Sequence, residues 1–309
     1  MNSTIEVKNE LLEKEIVEFG YTTCTLLSEQ QILELRTICK RHFTPSLINS
    51  KYNYDSNADT DVVTKRFISN EIQRIVKPSI DKMFENYEFI PSIFFIKHPS
   101  ETDHSAVPMH NDPTLLIDET EKTHIKIWCP LQNVDESNGA MHFIKGSHRF
   151  VPPVNAVTLP SHYENVYNQL HKYTTCIPLK AGEAVMFDNR ILHESSPNRS
   201  DSIRLTAIIS IIAPNRQFIS LYKDAAVKNS PIEVYFQDKD WYYHPEWHNQ
   251  HKRPQTGILK GYLDYAVFQV SSNQLKDLAA NPRSLKSYVY SIKSIQQGFL
   301  HKFKSLFLS

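Results

Sequence analysis

Ala106-Val107-Pro108-Met109-His110-Asn111-Asp112 is the stretch on which the fold turns. Its apolar start reads as a strand, and on a strand residues i and i+2 project to the same face. His110 and Asp112 at such a strand end therefore aim an imidazole and a carboxylate at one point. A second imidazole, His193, and a guanidinium, Arg204, follow far downstream, with several strand-like runs between. Two ring nitrogens and one carboxylate oxygen occupy one face of an octahedral ion such as iron(II) and leave the other face open. An arginine beyond the second histidine can clamp a dicarboxylate by two parallel hydrogen bonds.

The triplet alone carries little information. With 14 His and 34 Asp plus Glu among 309 residues, chance supplies about 1.5 His-x-Asp/Glu triplets. His162-Tyr163-Glu164 is a second, in a polar stretch that reads as a surface loop or short helix. His244-Pro245-Glu246 is a third, in a Trp/Tyr/His/Pro-rich stretch with no flanking strand and no clamp arginine after it. Both read as surface histidines. His110 alone follows an apolar start, precedes Leu115-Leu116-Ile117 and has a later partner.

The wider order of segments decides the matter. Lys126-Ile127-Trp128-Cys129-Pro130-Leu131 is strand-like. Asn138-Gly139-Ala140-Met141-His142-Phe143-Ile144-Lys145-Gly146-Ser147-His148 comes next, then Gly182-Glu183-Ala184-Val185-Met186-Phe187-Asp188. His193-Glu194-Ser195-Ser196-Pro197-Asn198 and Ile203-Arg204-Leu205-Thr206 close the series. In this order and spacing they resemble the phytanoyl-CoA dioxygenase family, from roughly Phe19 to Pro214. One departure is Lys145-Gly146-Ser147-His148, where the family often has Pro-Gly-Ser-His; no ligand position is missing.

Strand signals recur from Ile90 to Ala213, punctuated by Gly139, Gly146 and Gly182. Many short strands with ligands on two of them predict a mostly β fold with flanking helices, around a double-stranded β-helix (the jelly-roll architecture shared by cupins). The expected organisation is a single oxygenase domain over 1–309. It comprises N-terminal helical and strand elements (1–88), a jelly-roll core (89–222) with an insertion at 151–173 over the open end of the barrel, and a largely helical C-terminal extension (223–309).

Several local features support this division. Glu6 to Glu18 has helical spacing, Tyr21 to Leu27 reads as a strand, and Ser28-Glu29-Gln30-Gln31 matches a capping box. Asn49 to Asp61 is polar and aperiodic, a loop or lid. Phe67 to Tyr87 reads as a helix kinked or broken at Pro78. Asp238 to Pro254 is dense in Trp, Tyr and His; His244, His248 and His251 have a spacing one helical face offers a metal, but no acidic or thiol partner. Gln274 to Ser309 looks helical, and from Leu278 onward there is no acidic residue. A basic amphipathic helix there would rest on an anionic membrane or meet an acyl carrier; the plainer reading packs its apolar stripe on the barrel or a second subunit.

Composition bounds the rest. Lys plus Arg and Asp plus Glu are both 34, so formal charge is zero, and no basic field points to nucleic acid. Cys24, Cys39, Cys129 and Cys176 are widely spaced, which argues against a zinc ribbon or disulfide scaffold and suits a reducing cytoplasm. Met1 to Glu18 shows no apolar signal segment, and no run approaches the roughly 20 apolar residues that span a bilayer.

The resemblance implies the chemistry. His110, Asp112 and His193 would hold iron(II), 2-oxoglutarate would be the cosubstrate with dioxygen, and succinate and CO2 the coproducts. Arg204 takes the clamp position for the distal carboxylate, with Ser195, Ser202, Lys97 and Trp128 as further pocket residues. Halogenating relatives replace the carboxylate with a small residue. Asp112 is present, which favours hydroxylation, or a related desaturation or ring closure. Three readings compete: a hydroxylase of a small metabolite, amino acid or natural-product intermediate; the same chemistry on a lipid, acyl-CoA or carrier-bound acyl group; and a non-catalytic jelly-roll binding protein.

Overall fold

The computed structural model describes residues 4–43, 53–58, 61–263 and 265–283, together with the strands Ser291–Ser294 and Leu300–Lys302. The N-terminal elements are β1 (Glu6–Val7), α1 (Glu10–Phe19), β2 (Tyr21–Thr25), α2 (Glu29–His42), β3 (Tyr54–Asp55), α3 (Val62–Met83) and β4 (Phe84–Glu85). Asn9 starts α1 by accepting from the Leu11 and Leu12 amides, so the helix begins later than its spacing suggests and Glu6–Val7 pairs with β4 instead. Ser28 and Gln31 form the expected capping box on α2. The helix α3 continues through Pro78. Pro78 is exposed, so water can meet the carbonyl its missing N–H leaves free, and no break follows. Of the loop at 49–61, residues 49–52 and 59–60 lie outside the described residues; Tyr54–Asp55 add an edge strand.

Eight strands follow: β5 (Glu88–Lys97), β6 (Val107–His110), β7 (His124–Pro130), β8 (Met141–Ile144), β9 (Thr174–Ile177), β10 (Glu183–Asp188), β11 (His193–Ser195) and β12 (Arg204–Ile212). They divide between two antiparallel sheets, a large one ordered β2-β10-β7-β12-β5-β3 and a small one ordered β6-β11-β8-β9. Passing the chain back and forth between two sheets in this way makes the double-stranded β-helix.

Period-two alternation sorts the side chains. On the large sheet Ile125, Ile127, Met186, Ala207 and Ile209 face α2 and α3, where they join Leu35, Ile38, Ile68 and Ile72. Their neighbours Trp128, Val185 and Phe187 face inward and meet Met141 and Phe143 of the small sheet. Each such buried side chain contributes roughly 1.5–3 kcal/mol, and a one-residue slip would exchange the two faces. The same alternation sends Lys97, Lys126 and Arg204 inward, so charged groups enter the barrel by register.

Two expectations are corrected here. The insertion 151–173, which contains α4 (Tyr167–Leu170), does not simply cap the barrel. Tyr163, Val166 and Leu170 pack with Met109 and Ile144 on the outer side of the small sheet. The C-terminal extension is not largely helical. Strands β13 (Phe218–Tyr222), β14 (Ile232–Gln237), β15 (Ile258–Leu263), β16 (Ser291–Ser294) and β17 (Leu300–Lys302) form a sheet in that order, and β13, assigned to the core, belongs to it. The helix α5 (Ser272–Ala280) is the one α-helix after Pro214 among the described residues. Alternating runs such as Ile232-Glu233-Val234-Tyr235 and Ser291-Ile292-Lys293-Ser294 favour strands over the helical spacing read across them. The rest of the basic tail, residues 284–290, 295–299 and 303–309, lies outside the described residues. No helix among the described residues is long and apolar enough to cross a membrane.

Candidate metal and anion site

His110 ends β6 and His193 begins β11, and the two are direct cross-strand partners. Between this pair and Ser195↔Val107 the register shifts, β6 carrying an extra residue at Pro108, which cannot donate to the ladder. The imidazole centroids lie 4.3 Å apart. Asp112 follows on the loop beyond β6, and ligand-type atoms of all three side chains lie within 4.8 Å of one another. It is the one such group found among the described residues.

Tautomers follow from geometry. His110 Nδ1 is 2.7 Å from the Pro108 carbonyl and His193 Nδ1 is 2.9 Å from the Ile191 carbonyl. A carbonyl only accepts, so each Nδ1 carries the proton and each Nε2 keeps its lone pair for a metal. His193 packs its ring against Phe143 and Phe187. Burial, aided by His110, lowers its pKa to about 3, so it stays in the neutral, ligating form. Burial alone would raise the Asp112 carboxyl; the Lys126 ammonium beside it outweighs burial and holds it well below the usual carboxylate range. Lys126 Nζ sits 2.7 Å from Asp112 Oδ2.

A second charged site lies further along the same strand. Ser195, two residues beyond His193, faces Lys97: Lys97 Nζ donates to Ser195 Oγ at 2.7 Å and to the Ser196 carbonyl at 2.6 Å. Arg204 is the cross-strand partner of Lys97. Its guanidinium donates to the Gly139 carbonyl and lies 4.9 Å from the Trp128 ring centroid. Gly139 adopts φ +93°, and a Cβ there would meet the Lys97 stem at 2.7 Å and the Ser196 carbonyl at 2.9 Å, so only glycine serves. Lys97 is 0% and Arg204 1% exposed. Among the described residues neither has a carboxylate partner, and Arg204 Nε has no hydrogen-bond acceptor. Burial, then the neighbouring Arg204, lowers Lys97 to about 6; burial lowers Arg204 to about 9.

A buried guanidinium without an anion is costly, and the same burial drives the neighbouring Lys97 toward its neutral form. The orphaned guanidinium nitrogen and the unbalanced charge fit an anionic ligand, as the three converging donors fit a divalent metal. The sequence-derived residues His110, Asp112, His193, Lys97, Trp128, Ser195 and Arg204 thus gather inside the barrel. Ser202 does not. It is exposed, and its carbonyl is taken by Asn198 at 2.7 Å, because the turn before β12 points away from the interior. His142 and His148 bond to Ser196 Oγ and the Val17 carbonyl, as structural histidines. His244 caps the turn of Pro245–His248. Sequence reasoning missed Lys126, which the period-two rule from Trp128 would have found.

The fold is thus a double-stranded β-helix with three converging donors beside a buried basic pocket. The family model for phytanoyl-CoA dioxygenase (PhyH) matches residues 36–206, and the chain belongs to that family. Phytanoyl-CoA dioxygenase domain-containing protein 1 of Danio rerio is 27% identical over 126 residues, which is 38% of this chain. The match spans 43% of that curated relative's length, less than half. Among solved structures, AviO1 from Streptomyces viridochromogenes is similar over 68% of this chain and 97% of its own, with 18% identity and a TM-score of 0.49. The non-heme alpha-ketoglutarate-dependent carbocyclase SnoK from nogalamycin biosynthesis is similar over 71% and 89%, with 17% identity and a TM-score of 0.49.

Proposed function

We propose that this chain is an iron(II)- and 2-oxoglutarate-dependent dioxygenase that hydroxylates an unactivated C–H bond of a small organic substrate. The observation that carries the reading is the pairing of two sites inside one barrel: three converging ligands and, two residues along β11, a buried lysine and arginine lacking an anion. Two strand residues span roughly 7 Å, the reach of a five-carbon diacid. His110, Asp112 and His193 would hold iron(II); Arg204, with Lys97 and Ser195, would hold the distal carboxylate of 2-oxoglutarate. When bound, iron(II), 2-oxoglutarate and dioxygen supply an oxidant able to attack unactivated C–H bonds, with succinate and CO2 released.

The chain's own residues do the rest. The Pro108 and Ile191 carbonyls orient the two imidazoles. Lys126 keeps Asp112 ionised and engages one of its oxygens. Trp128, Phe143 and Phe187 exclude water from the interior. The presence of Asp112 supports hydroxylation over halogenation. The lipid and acyl-carrier reading rested on a basic C-terminal helix, and strands β16 and β17 stand in part of that segment. A small-molecule substrate without nucleic acid matches the balanced charge. Four free cysteines, with Cys24 and Cys39 raised to about 12 by burial, support a reducing cytoplasm as the setting.

The test is uncoupled turnover. Purified chain with iron(II), ascorbate and air should convert 2-oxoglutarate to succinate slowly, and His193→Ala should not. Absence of succinate from the parent chain, together with no binding of 2-oxoglutarate, would leave the non-catalytic reading standing.

A further inference from the structure

The two histidines and the carboxylate are held differently. His110 and His193 sit on paired strands. Asp112 lies past the end of β6, on a stretch with no ladder partner. Its backbone is held instead by Asn155 of the insertion, whose Nδ2 donates to the Asn111 carbonyl at 2.6 Å and to the Asp112 carbonyl at 3.0 Å. The next residues interlock. Thr114 N donates to the Asn155 carbonyl at 2.9 Å, Asn155 N donates to Thr114 Oγ1 at 3.0 Å, and that hydroxyl donates to the Pro153 carbonyl at 2.7 Å. The segment Pro153–Asn155 is thereby tied to Asn111–Thr114 at both backbone and side chain.

That segment is itself anchored. Val154 and Ala156, either side of Asn155, are buried with Ile219, Leu221, Ile232 and Val234 of the C-terminal sheet. The sheet also reaches the loop directly: Ile219 N donates to the Leu115 carbonyl at 2.8 Å, and Ile117 N to the Gln217 carbonyl at 3.2 Å. These sheet residues lie beyond the stretch 36–206 that the family model matches.

We propose that Asn155, anchored on the C-terminal sheet, is a positioning residue that sets the Asp112 arm of the metal site. The proposal rests on the metal-site reading above. A ligand on an unpaired loop has more orientational freedom to lose on binding than one on a ladder, so a donor that fixes its backbone beforehand lowers the cost of coordination. The insertion and the C-terminal sheet then act on the metal without supplying a ligand.

The experiment is a Mn(II) titration of the full chain, with free Mn(II) read by its paramagnetic resonance, alongside the visible spectrum of the Co(II)-loaded protein. Asn155→Ala should weaken Mn(II) binding by roughly 10- to 100-fold and change the Co(II) bands. Thr114→Val, which removes only the hydroxyl, should weaken binding less. A folded Asn155→Ala chain with Mn(II) affinity within about twofold of the parent and unaltered Co(II) bands overturns the proposal. If that variant does not fold, Thr114→Val decides by the same two readouts. A parent chain that takes up neither ion overturns the metal-site reading itself, which separates that failure from failure of Asn155 alone.

Discussion

The two ends of the barrel interior treat charge in opposite ways. At the metal end the protein supplies its own balance: Asp112 is paired with Lys126 at 2.7 Å, and both are only part-exposed. At the anion end it does not, and Lys97 and Arg204 lie fully buried side by side with neutral oxygens and aromatic rings around them. A balanced site is stable before its ligand arrives. An unbalanced one stores strain that a ligand of the right charge relieves. On the proposed function, binding specificity divides in the same way: the His110–Asp112–His193 end would select by donor type, the Lys97–Arg204 end by charge.

The most severe way to break this contrast is to remove a donor. His110→Ala, Asp112→Ala and His193→Ala should each reduce succinate formation to background and weaken Mn(II) binding, while 2-oxoglutarate at high concentration still protects the anion end in a thermal shift assay. Full activity in any one would remove that residue from the ligand set. Next comes the clamp. Arg204→Ala should raise the 2-oxoglutarate requirement by roughly 100-fold, the loss of two charge-assisted hydrogen bonds, with Mn(II) affinity held. An equal loss of both affinities would mean that the two ends are not separable.

Smaller effects test the sign of the contrast. Lys126→Met strips Asp112 of its counter-charge and should destabilise the ligand-free protein by about 2 kcal/mol, read as a lower urea midpoint. Lys97→Met should do the reverse below pH 6, where the parent must bury a second charge, and stabilise the chain by about 1 kcal/mol, read as a higher urea midpoint. The same loss of an ammonium would then have opposite consequences at the two ends. Matching signs would refute the comparison.

The pH dependence follows from Lys97, lowered to about 6 by burial and by Arg204. An unfolded lysine titrates near about 10.4. Between these values the unfolded chain binds a proton that the folded chain does not. The stability of the ligand-free protein therefore rises with pH across that window and falls as pH drops towards 6. A bound dicarboxylate favours the charged lysine. Binding 2-oxoglutarate near neutral pH should take up part of one proton, seen by calorimetry in buffers of different ionisation enthalpy. Lys97→Met should abolish the uptake.

Much of this was legible from residue order. The strand-borne His110-Asn111-Asp112, the partner His193 and the later Arg204 located the site, because strand periodicity is local and ligand chemistry admits few residue types. Lys97, Trp128 and Ser195 could be named only as pocket neighbours of the clamp, since no local pattern shows that a lysine on β5 and a serine on β11 meet. Ser202 was misplaced because a turn residue's direction depends on the strand it leads into. The C-terminal strands were misread because Ile292, Ile295 and Phe299 satisfy helical spacing when the alternation of shorter runs is ignored. Asn155 left no trace at all, since its partners are backbone carbonyls on a loop 43 and 44 residues away.

Sequence by itself determined which donor side chains the proposed metal site draws on, and that a β architecture would carry them, since donor identity and period-two patterning are properties of the chain. Only the tertiary structure decided that Lys97 and Arg204 share one desolvated pocket, that Lys126 meets Asp112, and that the C-terminal sheet, beyond the matched family region, hydrogen-bonds to the loop that follows Asp112. Those facts depend on register and packing between distant segments, where pairing and burial determine the free energy of a charge.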